Sequence, residues 1–421
     1  MIWSMNIWQT LGFSELFHQT VATLVSAFAW FPYWGPIFFG YVFWHQWMHF
    51  VQGYFMSRTN WVLLEVKVPK ETFKSPLAME IVLNALYQTS AGNWYDKMWK
   101  GKVKDYFSLE MVSIDGHIKF FIRAPALYKN VIEAQLYGQY PDVEIYEVPD
   151  YVRYVDYQGN DGDWKIIAAE YGLTKPDPYP IKTYVDYGLD KDPKEEFKID
   201  PLTSIIEYLG SVGKGEQIWI QIIVQAAGNR YHIKAGKKEG QLGDWKDEAK
   251  DIVKSLTTKE SKDKDGKMVI VSKVLEMTEG DRDVVKAIER STGKLGFDCG
   301  VRAIYLSKKD KYNVSNLRAL GGLLRPFTTN NLNGFKTVTT TFGWSYPWQD
   351  YKEMRLNAKR KKIFKAYKYR SWFHLPRKLK PFVLNTEELA TIYHFPGGVA
   401  QTPTFGRIPS RKSEAPVNLP I

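Results

Sequence analysis

The densest run of ionisable side chains in the sequence is basic and lies near its C-terminal end. The segment Asp350–Lys380 carries twelve lysines or arginines against two acids, a net charge of +10, and aromatic residues alternate with these cations. Ammonium and guanidinium groups at such density bind phosphates through charge. The candidate residues for binding anionic lipid or nucleic acid are Lys359, Arg360, Lys361, Lys362, Lys365, Lys368 and Arg370.

Three interpretations of this basic segment stay open. As an amphipathic helix it could lie on an anionic leaflet, where each basic residue contributes about 1 kcal/mol near the surface. The same charges could follow a nucleic-acid backbone while the aromatic rings stack on bases. A basic helix could also pack on its own domain and keep its lysine ammonium groups in water. The net charge of +11 over 421 residues makes an anionic partner reasonable without choosing among them.

Motifs for catalysis, nucleotide binding and metal binding are absent from the sequence. It contains no G-x-x-x-x-G-K-S/T loop, no G-x-S-x-G and no H-E-x-x-H. His45 and His49 are spaced like two metal ligands, but no Cys, Asp or Glu lies near them to complete the coordination shell. The single cysteine, Cys299, excludes an intramolecular disulfide and favours a reducing compartment. We therefore expect a protein that is not an enzyme and uses no cofactor or metal.

The N-terminal region lacks formal charge over an unusual length. Between Glu15 and Arg58 lie 42 consecutive residues without Asp, Glu, Lys or Arg, and aromatic residues are concentrated there. A helix needs about 20 apolar residues to cross a bilayer core. We expect an interfacial or re-entrant helix over Leu11–Phe31 and a transmembrane span over Pro36–Phe55. The tryptophans expected at the membrane interface are Trp30, Trp34, Trp44 and Trp47.

Charge on either side of this region predicts its orientation. Basic residues follow the expected span and none precedes it. The positive-inside rule then places the later domains in the cytoplasm, at the inner membrane of a bacterium. The alternative is a buried helical hairpin in the core of a soluble protein.

After this membrane-anchoring segment, assigned to residues 1–58, the pattern changes to short strands and helices. Residues 61–150 predict four strands and two helices in the order β-α-β-β-α-β, which is the split βαβ or ferredoxin-like pattern. The expected strands are Trp61–Pro69, Phe107–Ile114, His117–Pro125 and Val143–Val148.

The same order repeats over residues 151–345, with a charged insertion at about 228–296 that we expect to be helical. Residues 346–400 follow as a basic helical segment, and residues 401–421 as an extended proline-rich tail. The predicted fold class is therefore α+β, with a transmembrane helical segment, two ferredoxin-like units, a basic helical segment and a tail.

Several strings resemble the membrane-anchored N-terminal region of conjugation and type IV secretion ATPases of the HerA/FtsK superfamily, in forms from small-genome bacterial lineages. The strings include WKGKVKDYFSLEMVSIDGHIKFFIRAP, VIEAQLYGQYPDVEIYEV, KAYKYRSWFHLP and LNTEELATIYHFPGG. In that family a RecA-like motor with a P-loop usually follows such a region, whereas this sequence stops at Ile421. The resemblance therefore implies either a separately encoded motor that docks in trans or a module recruited as a scaffold of its own.

These observations together predict a non-catalytic, membrane-anchored cytoplasmic component of a type IV secretion or DNA-transfer machine. It would act as a homo-oligomeric scaffold or as a docking platform for a separate motor ATPase. The expected partners are further copies of the chain, membrane lipids, that ATPase and nucleic acid. Two alternatives are a self-assembling membrane scaffold unrelated to DNA transfer and a membrane-tethered nucleic-acid-binding module.

Overall fold

A computed structural model of the chain describes residues 13–69, 74–89, 92–191, 200–228, 231–232, 242–262, 268–272, 276–342 and 346–396. It divides into two units. The N-terminal unit comprises the described residues of 1–58 and 91–103, and the sheet unit comprises those of 59–90 and 104–421. The predicted tail at 401–421 lies outside the described residues.

Helices occur in both units. The α-helices are α1 Phe13–Ala29, α2 Phe31–Arg58, α3 Leu77–Ala85, α4 Trp94–Met98, α5 Lys129–Gln139, α6 Leu202–Gly210, α7 Trp245–Thr257, α8 Glu279–Thr292, α9 Ser315–Gly322, α10 Met354–Lys368 and α11 Thr386–Ile392. Short 3-10 helices lie at Ala126–Tyr128, Tyr151–Tyr154, Lys309–Lys311, Arg325–Phe327, Pro347–Gln349 and Tyr351–Glu353.

All described strands belong to the sheet unit. They are β1 Trp61–Lys67, β2 Phe107–Ile114, β3 His117–Pro125, β4 Glu144–Glu147, β5 Trp164–Leu173, β6 Glu216–Ala226, β7 Tyr231–His232, β8 Leu242–Gly243, β9 Thr258–Lys262, β10 Met268–Ser272, β11 Gly296–Lys308, β12 Phe335–Thr340 and β13 Phe382–Asn385.

The N-terminal unit is held together by contacts between α2 and the segment around α4. The indole Nε1 of Trp47 donates to the carbonyl oxygen of Met98 at 3.2 Å, and its ring meets Trp99 edge-on at 5.9 Å. Gly101 has a φ of +67°, and a Cβ there would lie 2.3 Å from the backbone of Val51. A glycine is therefore required for this close approach.

Among the described residues, none of the helices combines the length and the apolarity that a bilayer crossing requires. The predicted transmembrane span over Pro36–Phe55 is therefore wrong. The physical reason is that absence of charge is not the same as apolarity. Helix α2 has the length, but its sequence mixes apolar residues with indole, phenol, imidazole and amide side chains, as at Trp44, His45 and Gln46.

The sheet unit is organised around one nine-stranded sheet. Its order is β12-β5-β11-β6-β2-β3-β1-β4, with β13 added beside part of β11. Each pairing in it is antiparallel. The hairpins β7–β8 and β9–β10 form two further small sheets. They lie with α7 and α8 between β6 and β11, in the predicted insertion.

The prediction of two ferredoxin-like units behind a transmembrane helix is corrected by the pairing of β2 with β6. These strands run antiparallel from Phe107 opposite Val224 to Ile114 opposite Gln217, so the strands assigned to two units form one continuous sheet. Both strands are buried along almost their whole length. A strand buried on both faces and rich in apolar residues is poorly suited to a sheet edge, and joining the two edges removes that exposure.

The two faces of the sheet carry separate cores. On one face, helices α3, α5, α6, α9 and α11 contribute to a large apolar cluster that includes Met79, Ile132, Ile206, Leu320 and Leu389. On the other face, a smaller cluster joins Trp219 and Ile304 of the sheet to residues of α10. This second face carries the basic segment singled out in the sequence.

Candidate functional site

Helix α10 presents two different faces. Its buried side chains include Leu356, Ile363 and Tyr367, which recur at helical spacing and turn one face toward the sheet. Asp350 caps the start of the helix. Its carboxylate accepts hydrogen bonds from the backbone N–H groups of Arg355 and Leu356, each at 2.8 Å.

The structure separates the seven predicted basic residues into two groups. Lys359, Lys361, Lys362, Lys365 and Lys368 are exposed on α10. Arg360 and Arg370 are buried. The Nη1 atom of Arg360 donates to Glu353 Oε2 at 3.0 Å and to Asn160 Oδ1 at 3.3 Å. A surface ligand would therefore meet the five lysines, whereas both arginines are occupied within the fold.

Arg370 ends α10 in a conformation that is uncommon for a residue with a side chain. Its φ is +50°, in the left-handed region. The backbone N–H of Arg370 donates to Tyr367 O and that of Ser371 to Ala366 O, each at 2.9 Å. This is a Schellman arrangement, in which glycine usually occupies the left-handed position. Here an arginine occupies it, and the backbone reversal carries its guanidinium into the protein.

The guanidinium of Arg370 binds two carboxylates. Its Nε and Nη2 atoms donate to Glu110 Oε1 and Oε2 at 2.9 and 3.1 Å. Nη2 also donates to Asp150 Oδ1 at 2.9 Å, and Nη1 donates to Asp150 Oδ2. Glu110 further accepts from the hydroxyl groups of Ser108 and Tyr151 at 2.6 and 2.7 Å. The fork geometry of the guanidinium explains why an arginine can hold both carboxylates.

Glu110 begins a row of polar side chains across the middle of the sheet. Glu110 lies opposite Gln221, Gln221 opposite Arg302, and Arg302 opposite Glu170 in strand register. We call these four residues the polar rung. Gln221 Nε2 donates to Glu110 Oε1 at 3.3 Å, Arg302 Nη1 to Gln221 Oε1 at 3.3 Å, and Arg302 Nε to Glu170 Oε1 at 3.0 Å.

The segment after α10 supplies further hydrogen-bond partners to the polar rung. Arg377 Nε donates to Glu170 Oε1 at 2.9 Å, while Arg302 Nη2 donates to the carbonyl oxygen of Ser371 at 3.2 Å. The indole of Trp372 lies against Gly300, where a Cβ would be 2.0 Å from the ring. The string KAYKYRSWFHLP is thus the part of the chain that crosses and anchors on this row.

Ion pairs with arginines determine the pKa values of the carboxyl groups in and beside the polar rung. Burial alone would raise the pKa of Glu110, but the Arg370 guanidinium holds that pKa below its ordinary value. Burial acts in the same direction on Glu170, and the pKa of that carboxyl is lowered by Arg377 and Arg302. Asp150 also has a lowered pKa because Arg370 outweighs its burial. These carboxylates therefore stay charged at neutral pH, and their arrangement is that of a structural ion-pair network.

A second buried polar cluster lies on the opposite face, around α11. Glu80 accepts from Lys294 Nζ at 2.6 Å and from Tyr184 OH at 2.8 Å. Glu387 accepts from Thr183 Oγ1 at 2.6 Å and lies 3.2 Å from Arg290 Nη2. Thr386 Oγ1 also donates to Glu80 Oε1 at 3.2 Å, so that together these contacts tie α11 to α3, α8 and the loop after β5.

The string LNTEELATIYHFPGG supplies most of α11 and its two ends. Asn385 caps the helix, since its Oδ1 accepts from the N–H of Glu388 at 2.8 Å. The Glu388 carboxylate accepts from the N–H groups of Ile181 and Asn385, each at 2.8 Å, and burial raises its pKa to about 8. His394 Nε2 lies 3.0 Å from Asp200 Oδ2. Burial would lower the pKa of His394, but the Asp200 carboxylate raises it.

The four tryptophans predicted to lie at the membrane interface differ in their exposure. Trp30 is exposed in the turn between α1 and α2, and Trp34 and Trp44 are exposed on α2, whereas Trp47 is half-buried against the segment around α4. Within the described residues, no group of three or more His, Cys, Asp or Glu side chains is placed to hold a metal ion.

The polar rung and the α11 cluster were not predicted from the sequence. A signal for the rung is present, because Glu110, Glu170, Gln221 and Arg302 each stand between two apolar or aromatic residues of a strand. Such residues indicate buried polar partners without saying which ones.

A family model described as "Domain of unknown function (DUF8128)" matches residues 54–406. The chain belongs to this family. The matched range covers the nine-stranded sheet, the polar rung, α10 and α11, whereas α1 and most of α2 precede it. No curated protein matches the chain. Both polar clusters of this DUF8128 member therefore lie inside the family region.

Proposed function

We propose that the protein is a non-catalytic structural component that attaches to a membrane surface and assembles there with copies of itself. The observation that carries this proposal is the surface of α1 and α2. Large apolar and aromatic side chains are exposed along both helices, including Phe17, Val25, Ile37, Tyr41 and Phe43. Extended exposed apolar patches mark sites of membrane or protein interaction.

The chemistry of these helices suits the interface of a bilayer rather than its interior. Indole and phenol rings have an apolar body and a polar edge, and they favour the headgroup level. Trp30, Tyr33 and Trp34 place three such rings where α1 ends and α2 begins. On α1, Phe17, Val21 and Val25 form an exposed stripe at intervals of four residues. A helix with such a stripe lies in the interface plane.

A structural role is supported by the way the sheet unit uses its buried charges. Arg302, Arg370 and Arg377 pair with Glu110, Asp150 and Glu170 and join the sheet to the C-terminal segment. Such paired charges specify an arrangement of elements and supply no poised acid or base. Among the described strands, β12 and β4 stand at the two ends of the strand order, and open strand edges can pair with other chains.

A motor ATPase encoded separately is the proposed partner of this assembly. The support for it is the resemblance of the strings around Phe107–Pro125 and Leu384–Gly398 to N-terminal regions of type IV secretion ATPases. The corresponding location is the inner membrane of a bacterium, with the sheet unit in the cytoplasm.

Flotation with vesicles tests the membrane part of the proposal. The purified full chain should float with zwitterionic phosphatidylcholine vesicles, and 0.5 M salt should not release it, because the contact is apolar. Ile37→Glu with Tyr41→Glu should abolish flotation, since these side chains share one face of α2. Val338→Glu is the matched control, because Val338 is equally exposed but lies on β12. If the full chain stays unbound, or if the control variant fails as badly, the proposed attachment is wrong.

Mass photometry tests the self-assembly. In mild detergent, particles should have several times the 48.8 kDa mass of one chain. A single species of that mass at micromolar concentration would contradict the scaffold.

A further inference from the structure

The segment between β12 and α10 exposes a stacked pair of aromatic rings. The rings of Tyr346 and Trp348 lie 4.8 Å apart with planes 14° from parallel. Trp348 is 79% exposed and the nearby Tyr351 is 71% exposed. An indole that is covered by one ring yet remains so exposed has its other face open. We call Tyr346, Trp348 and Tyr351 the aromatic platform.

Local hydrogen bonds hold the aromatic platform in place. Gln349 N–H donates to Tyr346 O at 3.1 Å, and Tyr346 N–H donates to Gln349 Oε1 at 3.3 Å. Arg355 Nη1 donates to Gln349 O at 3.3 Å. Because Asp350 also caps α10, the turn that carries the rings is tied directly to the start of the basic helix. The rings are therefore preorganised, which lowers the entropy cost of binding.

Cations continue from the aromatic platform along one side of α10. Arg355, Lys359 and Lys362 are exposed and stand at positions i, i+4 and i+7, which share a helix face. Lys352 lies over the ring of Tyr351, with 5.3 Å from Nζ to the centroid.

The acids in this region are already engaged. Asp350 accepts from two backbone N–H groups, and Glu353 pairs with Arg360 at 3.0 Å. The charge of Glu353 is therefore balanced by Arg360, which is not part of the row.

We propose that the aromatic platform and this row form a binding site for single-stranded nucleic acid. Bases would stack on the open ring faces of the platform, and backbone phosphates would contact Lys359 and Lys362. A ligand that offers both flat π faces and regularly spaced phosphates matches both features of the surface. In a duplex the base faces are covered by stacking, so the platform selects single strands. An anionic leaflet would use the lysines but has no planar group for a preformed stack.

The test is fluorescence anisotropy of a labelled twenty-nucleotide oligothymidylate, titrated with the purified full chain. Trp348→Ala should weaken binding at least about five-fold, the lower limit for loss of one base–aromatic stack. Trp348→Phe should restore most of the affinity because it keeps a ring. Trp94→Ala is the matched control, since Trp94 is also exposed but lies in the N-terminal unit. Lys359→Gln with Lys362→Gln should reduce the slope of log affinity against log salt by about 1.4, or roughly 0.7 per phosphate contact.

Three results would overturn the proposal. One is equal loss of affinity in the Trp348→Ala and Trp94→Ala proteins. Another is tighter binding of a duplex of the same length. The third is displacement of the oligonucleotide by phosphatidylglycerol vesicles with no dependence on Trp348, which would assign the lysines to a lipid surface. A thermal melt of each variant shows whether a loss reflects the site or the fold.

Discussion

Arg370 and Glu110, which are 260 positions apart, form a bidentate ion pair in which neither side chain is exposed. The pair joins the end of α10 to the middle of the sheet. Breaking a buried pair by removing one partner is costly, because the other charge is left buried without compensation.

Arg370→Ala should therefore destabilise the protein by about 3 to 5 kcal/mol. Chemical denaturation followed by circular dichroism measures this change. Lys368→Ala is the control, since Lys368 is exposed on the same turn of helix and its loss should change stability by no more than about 0.5 kcal/mol. Equal effects of the two substitutions would mean that the pair contributes little.

Acidification should destabilise the sheet unit. The pKa values of Glu110, Asp150 and Glu170 are lowered in the fold. Their contribution is complete above the unfolded pKa values, near 4, and is lost as pH falls through the folded ones. The thermal midpoint should thus fall steeply below about pH 4.5. Glu110→Gln should start from a lower midpoint and fall less. A parallel decline of both proteins would contradict this assignment.

Glu388 should produce the opposite slope in a different pH range. Its folded pKa is raised to about 8, whereas an unfolded glutamate titrates near 4.3. The unfolded state loses the proton first, so stability should decrease as pH rises from about 4.5 to 8 and then stay constant.

Glu388→Gln should remove this part of the slope, measured as the difference in unfolding free energy between pH 5 and pH 8. Glu279→Gln is the control, because that side chain is 85% exposed. His394 contributes a slope of the same sign above pH 6.5, since Asp200 raises its pKa, but this slope is common to both variants. An unchanged slope in Glu388→Gln would show that the carboxyl is ionised throughout.

Gly300→Ala should disturb the anchoring of the segment after α10. A Cβ at this position would lie 2.0 Å from the Trp372 ring, so the indole must move. Overpacking of this kind costs about 1 to 3 kcal/mol. Gly321→Ala in α9 is the control, since nothing lies within 4 Å of its Cβ position, and alanine there should be neutral or stabilising. Urea unfolding of both variants distinguishes the outcomes.

Local features of this fold could be derived from the sequence. The hairpin β2–β3 turns at Asp115 and Gly116, which have φ values of 52° and 84°. The residue types Asp-Gly between alternating strands are enough to indicate such a turn. Helix α6 begins after Asp200 and Pro201 for an equally local reason, because proline suits the first turn of a helix. The density of cations near α10 is likewise a property of the sequence.

Long-range contacts determine which strands join into one sheet and which charged side chains are buried. The sequence shows that β2 and β6 are apolar, but only their packing joins them into one sheet. The hydropathy of α2, which falls short of a span, is by contrast itself a property of the sequence. Among the cations near α10, those of Arg360 and Arg370 are turned inward by partners between 7 and 260 positions away. Local patterns follow from backbone geometry and short-range hydrogen bonds, while burial and charge pairing depend on residues that meet only when the chain is folded.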